Sequence, residues 1–162
     1  MVGLVSSLCP ELLMQIQIET PVLQDYLQVK AGFTESLFKD LAPPFPPVKV
    51  LRFDGCKKGD QVTLELDFFL FKQKWVSLIT EDQTTDSEFY FIDEGIQLPF
   101  FLGKWKHKHR IIARGNGSVI RDEIAFSGPF FWVTPLLFPV LWVQFWYRKP
   151  IYRKIFKKKK LN

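Results

Sequence analysis

Polar and apolar residues alternate without interruption from Lys104 to Ile111. Successive side chains of a β-strand point to opposite faces of the sheet, so Trp105, His107, His109 and Ile111 share one face. The cationic residues between them share the other face. The pattern predicts a half-buried antiparallel strand that carries both histidines of the protein on its inner face.

Similar patterns predict further elements. Strands are expected at 14–20, 48–53, 61–71, 75–81, 88–93, 103–113 and 118–126. The last two flank Arg114-Gly115-Asn116-Gly117, the strongest hairpin signal of the chain. Pro21 suits the first turn of a helix with Thr20 as N-cap, so we expect helices at 22–31, ending before Gly32, and at 35–41.

An uncharged run extends from Phe130 to Tyr147 and is followed by Arg148 and several lysines. This run of about eighteen residues has the composition of a membrane anchor. Its length is marginal, however, and Pro135 and Pro139 disturb a spanning helix. A helix that is apolar nearly all round can also be clasped by a sheet. We therefore predict a long C-terminal helix held by the sheet, and a membrane-held helix is the alternative.

The chain has 162 residues, of which 47% are hydrophobic and 16% aromatic. One domain is expected, and we place it at 13–156, with an N-terminal extension at 1–12 and a basic tail at 157–162. The net charge of +5 comes mostly from that tail. Nucleic acid is therefore not expected as a partner. Weak contact with an anionic membrane is expected through Lys157, Lys158, Lys159 and Lys160.

Cys9 and Cys56 are too far apart in sequence to form a metal framework and are typical of reduced thiols. The first residues lack the basic start and the cleavage pattern of a signal peptide. We therefore predict a cytoplasmic protein. The oligomeric state does not follow from the sequence.

An ordered set of motifs covers most of the chain. In chain order these are Ile18-Glu19-Thr20-Pro21, Trp75-x-Ser77-x-Ile79, Phe91-x-Asp93-x-Gly95, Pro99-Phe100, Trp105-x-His107-x-His109, Asp122 and Phe145-x-Tyr147-Arg148. With the element order, this set resembles the SRPBCC superfamily, which includes START and birch-pollen-allergen-like proteins, and in particular its bacterial ligand-binding branch. The residues after Asp122 and the prolines of the last helix depart from the pattern.

The resemblance implies an α+β helix-grip fold. In this fold a curved antiparallel sheet of about seven strands wraps around a long C-terminal helix, and two short helices follow the first strand. It also implies an apolar cavity for a lipid, sterol or polyketide-like molecule. The residues expected to line it are Leu64, Leu66, Phe68, Trp105, His107, His109, Ile111, Asp122, Phe138, Leu141, Trp142 and Phe145. The alternative is that these side chains fill a dry core.

One group of residues carries candidate chemistry, namely His107, His109 and Asp122. A hairpin loop at Asn116-Gly117 places Asp122 opposite Ile111, a loop at Gly115-Asn116 places it opposite His109, and both turn Asp122 inward. A three-residue loop would turn Asp122 outward. An inward His and Asp pair can perform acid–base catalysis or form a structural hydrogen bond.

Other catalytic signatures are missing from the sequence. Asp93-Glu94 has the character of a solvated turn, and a third metal ligand beyond Asp122 is not evident, so neither a metal nor a cofactor is expected. We predict a non-enzymatic binder or carrier of a small hydrophobic ligand. The alternatives are a cyclase- or dehydratase-type enzyme that uses His109 and Asp122, and a membrane-associated protein.

Overall fold

The computed structural model of the protein describes residues 12–157. Residues 1–11 and 158–162 lie outside the described part, and they include Cys9, most of the predicted N-terminal extension and most of the basic tail. In chain order the elements are β1 (Met14–Val22), α1 (Tyr26–Ala31), α2 (Glu35–Asp40), β2 (Val48–Phe53), β3 (Gln61–Asp67), β4 (Lys72–Thr84), β5 (Glu88–Gln97), β6 (Lys104–Arg114), β7 (Gly117–Ser127), α3 (Val133–Trp146) and α4 (Arg148–Ile155).

The seven strands form one antiparallel sheet in the order β1-β7-β6-β5-β4-β3-β2. A long C-terminal helical segment follows the sheet, and two short helices follow β1. The fold class predicted from the sequence is therefore confirmed.

The predicted helix start at Pro21 is wrong. Strand β1 continues through Pro21 to Val22, and α1 begins at Tyr26 with Asp25 as its N-cap. The Asp25 carboxylate accepts hydrogen bonds from two backbone N–H groups of the first turn. Because β1 is an edge strand, a residue that lacks an N–H group is tolerated there.

The hairpin between β6 and β7 has a two-residue loop, since Arg114 lies opposite Gly117. The loop begins with Gly115, whose φ of 56° is in the left-handed region that favours glycine. Of the two registers that turn Asp122 inward, this one places Asp122 opposite His109. The loop length therefore determines which residues of β7 lie opposite the inward-facing residues of β6.

Strand β3 ends at Asp67, four residues before the predicted end. The Asp67 Oδ1 atom accepts a hydrogen bond from the Phe69 backbone N–H at 2.8 Å, and Phe69 has a φ of 67°. A tight turn over residues 68–71 follows, in which Phe69 and Leu70 are 80% and 94% exposed. Phe68 therefore leaves the row of inward-facing residues that Leu64 and Leu66 begin.

The C-terminal helical segment consists of α3 and α4, which meet at Tyr147. The backbone of Tyr147 remains helical (φ −57°, ψ −27°). Pro135 lies in the first turn of α3, where a missing N–H is tolerated, and Pro139 lies inside the helix and removes one hydrogen bond. Within residues 12–157, no helix is long and apolar enough to cross a membrane.

The helical segment packs on the sheet through one face. Leu141 and Phe145 of α3 join Trp105 and Phe126 in one buried cluster. Tyr152 of α4 joins a second cluster with α1 and α2, which includes Val29, Phe33, Leu37, Phe91 and Phe156. The predicted grip therefore holds for the inner face of α3. The outer face remains exposed, with Leu136 and Val140 at 65% and 62%.

Candidate functional site

A cavity of about 100 Å³ lies between the inner face of the sheet, α2 and the junction of α3 with α4. Its wall is mainly apolar and aromatic. The apolar side chains include Phe33, Phe38, Val50, Leu64, Leu66, Trp75, Phe91, Trp105 and Phe145. Polar groups reach it from Ser77, Asp93, His107, His109, Gln144 and Arg148.

Six of the twelve residues predicted to line a cavity lie on this wall, namely Leu64, Leu66, Trp105, His107, His109 and Phe145. The other six, Phe68, Ile111, Asp122, Phe138, Leu141 and Trp142, lie elsewhere. Ile111 and Leu141 are buried in the two core clusters. Asp122 is buried behind the histidines, and Trp142 is 43% exposed on the outside of α3.

The inward orientation predicted for one face of β6 is confirmed. Trp105, His107, His109 and Ile111 are all at most 7% exposed. The two histidines lie side by side, with ring centroids 3.6 Å apart. Both imidazoles therefore need hydrogen-bonding partners inside the protein.

Two carboxylates supply those partners. His107 Nε2 lies 2.9 Å from Asp122 Oδ1, and His109 Nε2 lies 3.2 Å from Asp93 Oδ2. The crossed distances are 3.5 Å from His107 Nδ1 to Asp93 Oδ2 and 3.3 Å from His109 Nδ1 to Asp122 Oδ1. Neither crossed contact is aligned as a hydrogen bond. We call these four residues the polar cluster.

Asp93 is the member that sequence reasoning missed. It is not in a solvated turn but inside β5, where its side chain is 13% exposed and pairs with the histidines. Trp105 Nε1–H also donates to Asp93 Oδ1 at 2.9 Å. The signal was the alternation of Phe89, Phe91 and Asp93, which places all three on one face. Phe91 stacks on His109, with centroids 4.3 Å apart.

The two histidines have opposite pKa shifts. Burial, together with the charge of His109, lowers the pKa of His107 to about 4. Burial alone would lower the pKa of His109, but Asp122 and Asp93 outweigh it and raise this pKa above the ordinary value of 6.5. The pKa values of Asp93 and Asp122 are lowered, since the two histidines more than offset the effect of burial. Within the cluster, His109 is therefore the more basic of the two imidazoles.

Asp93, His107 and His109 also bring three possible metal ligands within 4.8 Å of one another. The same nitrogens already have carboxylate partners, since His107 Nε2 lies 2.9 Å from Asp122 Oδ1 and His109 Nε2 lies 3.2 Å from Asp93 Oδ2. The geometry favours a hydrogen-bonded network over a metal centre.

The pKa of His107 predicts a pH dependence of stability. Because its folded pKa of about 4 lies below its ordinary 6.5, His107 lowers the free energy of unfolding as pH falls from about 6.5 to 4. One proton limits this slope to about 1.4 kcal/mol per pH unit. Urea unfolding across this range should show a shallower decline for His107→Gln than for the unchanged protein. Equal slopes would contradict the assignment.

His109 acts in the opposite sense. Because its folded pKa is raised, its contribution to stability is complete below about pH 6.5 and is lost as pH rises through the folded pKa. The free energy of unfolding of the unchanged protein should therefore fall on the alkaline side, and this fall should be absent in a His109→Gln variant. The variant serves as the matched control for His107→Gln.

Comparison with known proteins places this geometry in context. The sequence matches no protein-family model, and no curated protein matches it. Solved structures do match. Norcoclaurine synthase from Thalictrum flavum, in complex with dopamine and hydroxybenzaldehyde, has a TM-score of 0.58 at 14% identity over 92% of this chain and 91% of that chain. The chain therefore shares the helix-grip fold of this structure.

Two further helix-grip structures support this. The Zhui aromatase/cyclase of a Streptomyces species has a TM-score of 0.56 at 16% identity, over 74% of this chain and 70% of that one. Ginseng major latex-like protein 151 from Panax ginseng has a TM-score of 0.57 at 12% identity, over 82% and 92%. At these identities the likeness concerns the helix-grip fold alone.

Proposed function

We propose that the protein binds a small hydrophobic molecule reversibly in the cavity and acts as its carrier. The observation that supports this is an apolar cavity with polar groups at one side, an arrangement typical of small-molecule sites. Apolar surface supplies affinity, and a few placed polar groups orient the ligand.

The size of the cavity limits the ligand. A volume of about 100 Å³ is well below the roughly 300–1,000 Å³ of drug-sized ligand pockets. A compact molecule, such as a single substituted ring, fits this volume. A sterol or a long lipid requires the helical segment to move away from the sheet.

The polar groups indicate what the ligand carries. Arg148 lines the cavity, and its Nε atom is buried without a hydrogen-bond partner. Its guanidinium stacks on Phe145, with Cζ 4.1 Å from the ring centroid. An unpaired buried donor is costly, so a ligand oxygen that accepts from Arg148 gains affinity. Asp93, also on the wall, accepts a hydrogen bond from a ligand hydroxyl.

Titration with 4-nitrophenol tests the proposal, because this single ring carries an acceptor oxygen at one end and a hydroxyl at the other. We expect saturable binding by calorimetry, with quenching of the buried Trp105. Val50→Trp places a large ring in the cavity from edge strand β2 and should weaken binding about tenfold or more, a loss of at least ~1.4 kcal/mol.

The matched control is Val76→Trp. Val76 lies between Trp75 and Ser77, which both face the cavity, so it points to the other face of β4. This variant should bind 4-nitrophenol like the unchanged protein. Absence of saturable binding, or equal binding by both variants, would favour a filled core and contradict the carrier proposal.

The second candidate function is acid–base catalysis on the bound molecule. The observation that favours it is the position of His109, which lies on the cavity wall and whose pKa the two carboxylates raise against the effect of burial. His109 would act as general acid, with Asp93 beside it. Asp122 does not line the cavity, so its part would be to position the imidazoles.

Native mass spectrometry of protein purified from its own cells separates the two functions. A carrier and its His109→Gln variant should retain the same molecule. An enzyme variant that cannot turn over should retain a chemically different molecule, the unreacted substrate. The second outcome would replace the carrier proposal.

A further inference from the structure

One end of the sheet exposes large apolar side chains. Its exposed residues are Phe45 at 57%, Phe69 at 80%, Leu70 at 94%, Phe100 at 61%, Phe131 at 65% and Trp132 at 58%. We call these six residues the apolar end. Exposed apolar patches of this kind mark sites of interaction with membranes or proteins.

The sheet register brings these residues together from distant parts of the chain. The last residue of β3, Asp67, pairs with the first of β4, Lys72. The first residue of β6, Lys104, pairs with the last of β7, Ser127. The turn after β3, the loop before β6 and the loop after β7 therefore lie at the same end of the antiparallel sheet.

Ring contacts connect the loop before β2, the turn after β3 and the loop before β6. Phe45 stacks on Phe69, with centroids 5.8 Å apart, and Phe71 contacts Phe100 at 5.7 Å. Phe68 contacts both Phe100 and Phe101. These three segments thus form one connected aromatic surface, and the turn that holds Phe69 and Leu70 is its most exposed part.

The apolar surface continues along the outside of α3. Leu136, Val140 and Val143 recur at helical spacing and are 65%, 62% and 56% exposed. Because the backbone stays helical through Tyr147, helical spacing places Lys154 of α4 on the same face as these three residues. The outer face is therefore apolar along its first half and cationic along its second.

The charge along this segment has one sign. Residues 129–157 contain no Asp or Glu, and their cations are Arg148, Lys149, Arg153, Lys154 and Lys157. Arg153 and Lys154 are exposed in the last turn of α4. An apolar face followed by exposed cations matches an interface between hydrocarbon and anionic headgroups.

We propose that the protein docks on the surface of an anionic lipid bilayer. The apolar end and the outer face of α3 enter the interface, while Arg153 and Lys154 contact the headgroups. The cationic end of α4 lies at the far end of the sheet from the turn that holds Phe69 and Leu70, since Phe156 O accepts from Leu23 N–H after β1. The protein therefore lies along its helical segment, with the apolar end inserted most deeply.

The same surface suits a second copy of the chain poorly. Parallel pairing of the outer faces would bring the cations of two α4 helices together, and antiparallel pairing would place them on the apolar half of α3. Phe69 and Leu70 also project from a tight turn, whereas a fluid bilayer accepts such a projection without a matching cavity. Docking on a bilayer does not depend on the ligand proposed for the cavity.

Vesicle flotation tests the proposal, with phosphatidylcholine vesicles compared with vesicles that also contain phosphatidylglycerol. The full-length protein should float with the anionic vesicles. Replacing both Phe69 and Leu70 with serine should lower partitioning at least about tenfold, since two large apolar side chains no longer leave water. Arg153→Glu with Lys154→Glu should weaken binding about tenfold on anionic vesicles only.

Leu23→Ser with Leu27→Ser is the matched control, because these leucines are 59% and 50% exposed at the opposite end of the sheet. This control should float like the unchanged protein, and so should Val50→Trp, whose defect concerns the cavity. Circular dichroism should show unaltered melting for the Phe69 and Leu70 variant.

Three outcomes overturn the proposal. The first is flotation of the Phe69 and Leu70 variant as complete as that of the unchanged protein, and the second is no flotation of either protein. The last is a dimer of the unchanged protein by light scattering, together with a monomeric Phe69 and Leu70 variant and no vesicle binding by either. That result would assign the surface to a second copy of the chain.

Discussion

Replacing Asp122 with leucine should lower the free energy of unfolding by about 3 kcal/mol, because Asp122 serves both buried histidines. His107 Nε2 loses its hydrogen-bonding partner at 2.9 Å, and His109 keeps only the Asp93 carboxylate. Asp122 is 1% exposed, so water does not replace the lost carboxylate. Urea unfolding at pH 7 measures the change.

Asp122→Asn is the matched variant. Its amide oxygen still accepts a hydrogen bond from His107, so we expect a smaller loss of about 1 kcal/mol. The pKa of His109 should fall in this variant, because one of the two carboxylates that raise it is gone, and NMR titration of the imidazole measures the shift. Equal, negligible effects of both substitutions would mean that Asp122 is not part of a buried pair.

Replacing Phe91 with alanine should lower the free energy of unfolding by about 3–5 kcal/mol. Phe91 is 1% exposed, stacks on His109 and contacts Phe33 at 5.9 Å. Removal of the ring leaves a void that the rigid sheet cannot close. Thermal and urea unfolding measure this loss. It is a large part of the 5–15 kcal/mol by which domains are stable.

The same substitution has a second expected effect, on the ligand. Phe91 lies on the cavity wall, so the void joins the cavity. The variant should accept ligands larger than 4-nitrophenol, and a saturating ligand should raise its melting temperature by mass action. Phe69→Ala is the control, because the same ring is 80% exposed there and should change stability by less than about 0.5 kcal/mol. A similar loss in both variants would contradict the assignment of Phe91 to the core.

Periodicity predicted the parts of the fold that one strand determines by itself. The alternation around His107 and His109 was sufficient to place both on the inner face, and β2 begins and ends at its predicted residues. The boundary at Pro21 could not be predicted, because a proline is accepted both in a first helical turn and in an edge strand. Which strand lies at an edge is a property of the whole sheet.

The candidate site was only half predictable for a related reason. Asp122 could be connected to the histidines, since a hairpin limits the pairing to a few registers. Asp93 pairs with His107 across a different junction, between β5 and β6, where a loop of six residues leaves the register open. Similarly, the exposed outer face of α3 is as apolar as a buried face. The sequence alone therefore predicted that the sheet covers the whole helix.

The two-residue loop between β6 and β7 cannot change in length without a change in the polar cluster. One added residue would shift β7 against β6 and turn Asp122 away from the histidines. The length of the seven-residue connection between β2 and β3 does not affect the polar cluster in this way, because neither strand contributes to the cluster. We therefore expect an inserted residue to disrupt the polar cluster at the loop between β6 and β7 and to leave it intact at the turn between β2 and β3.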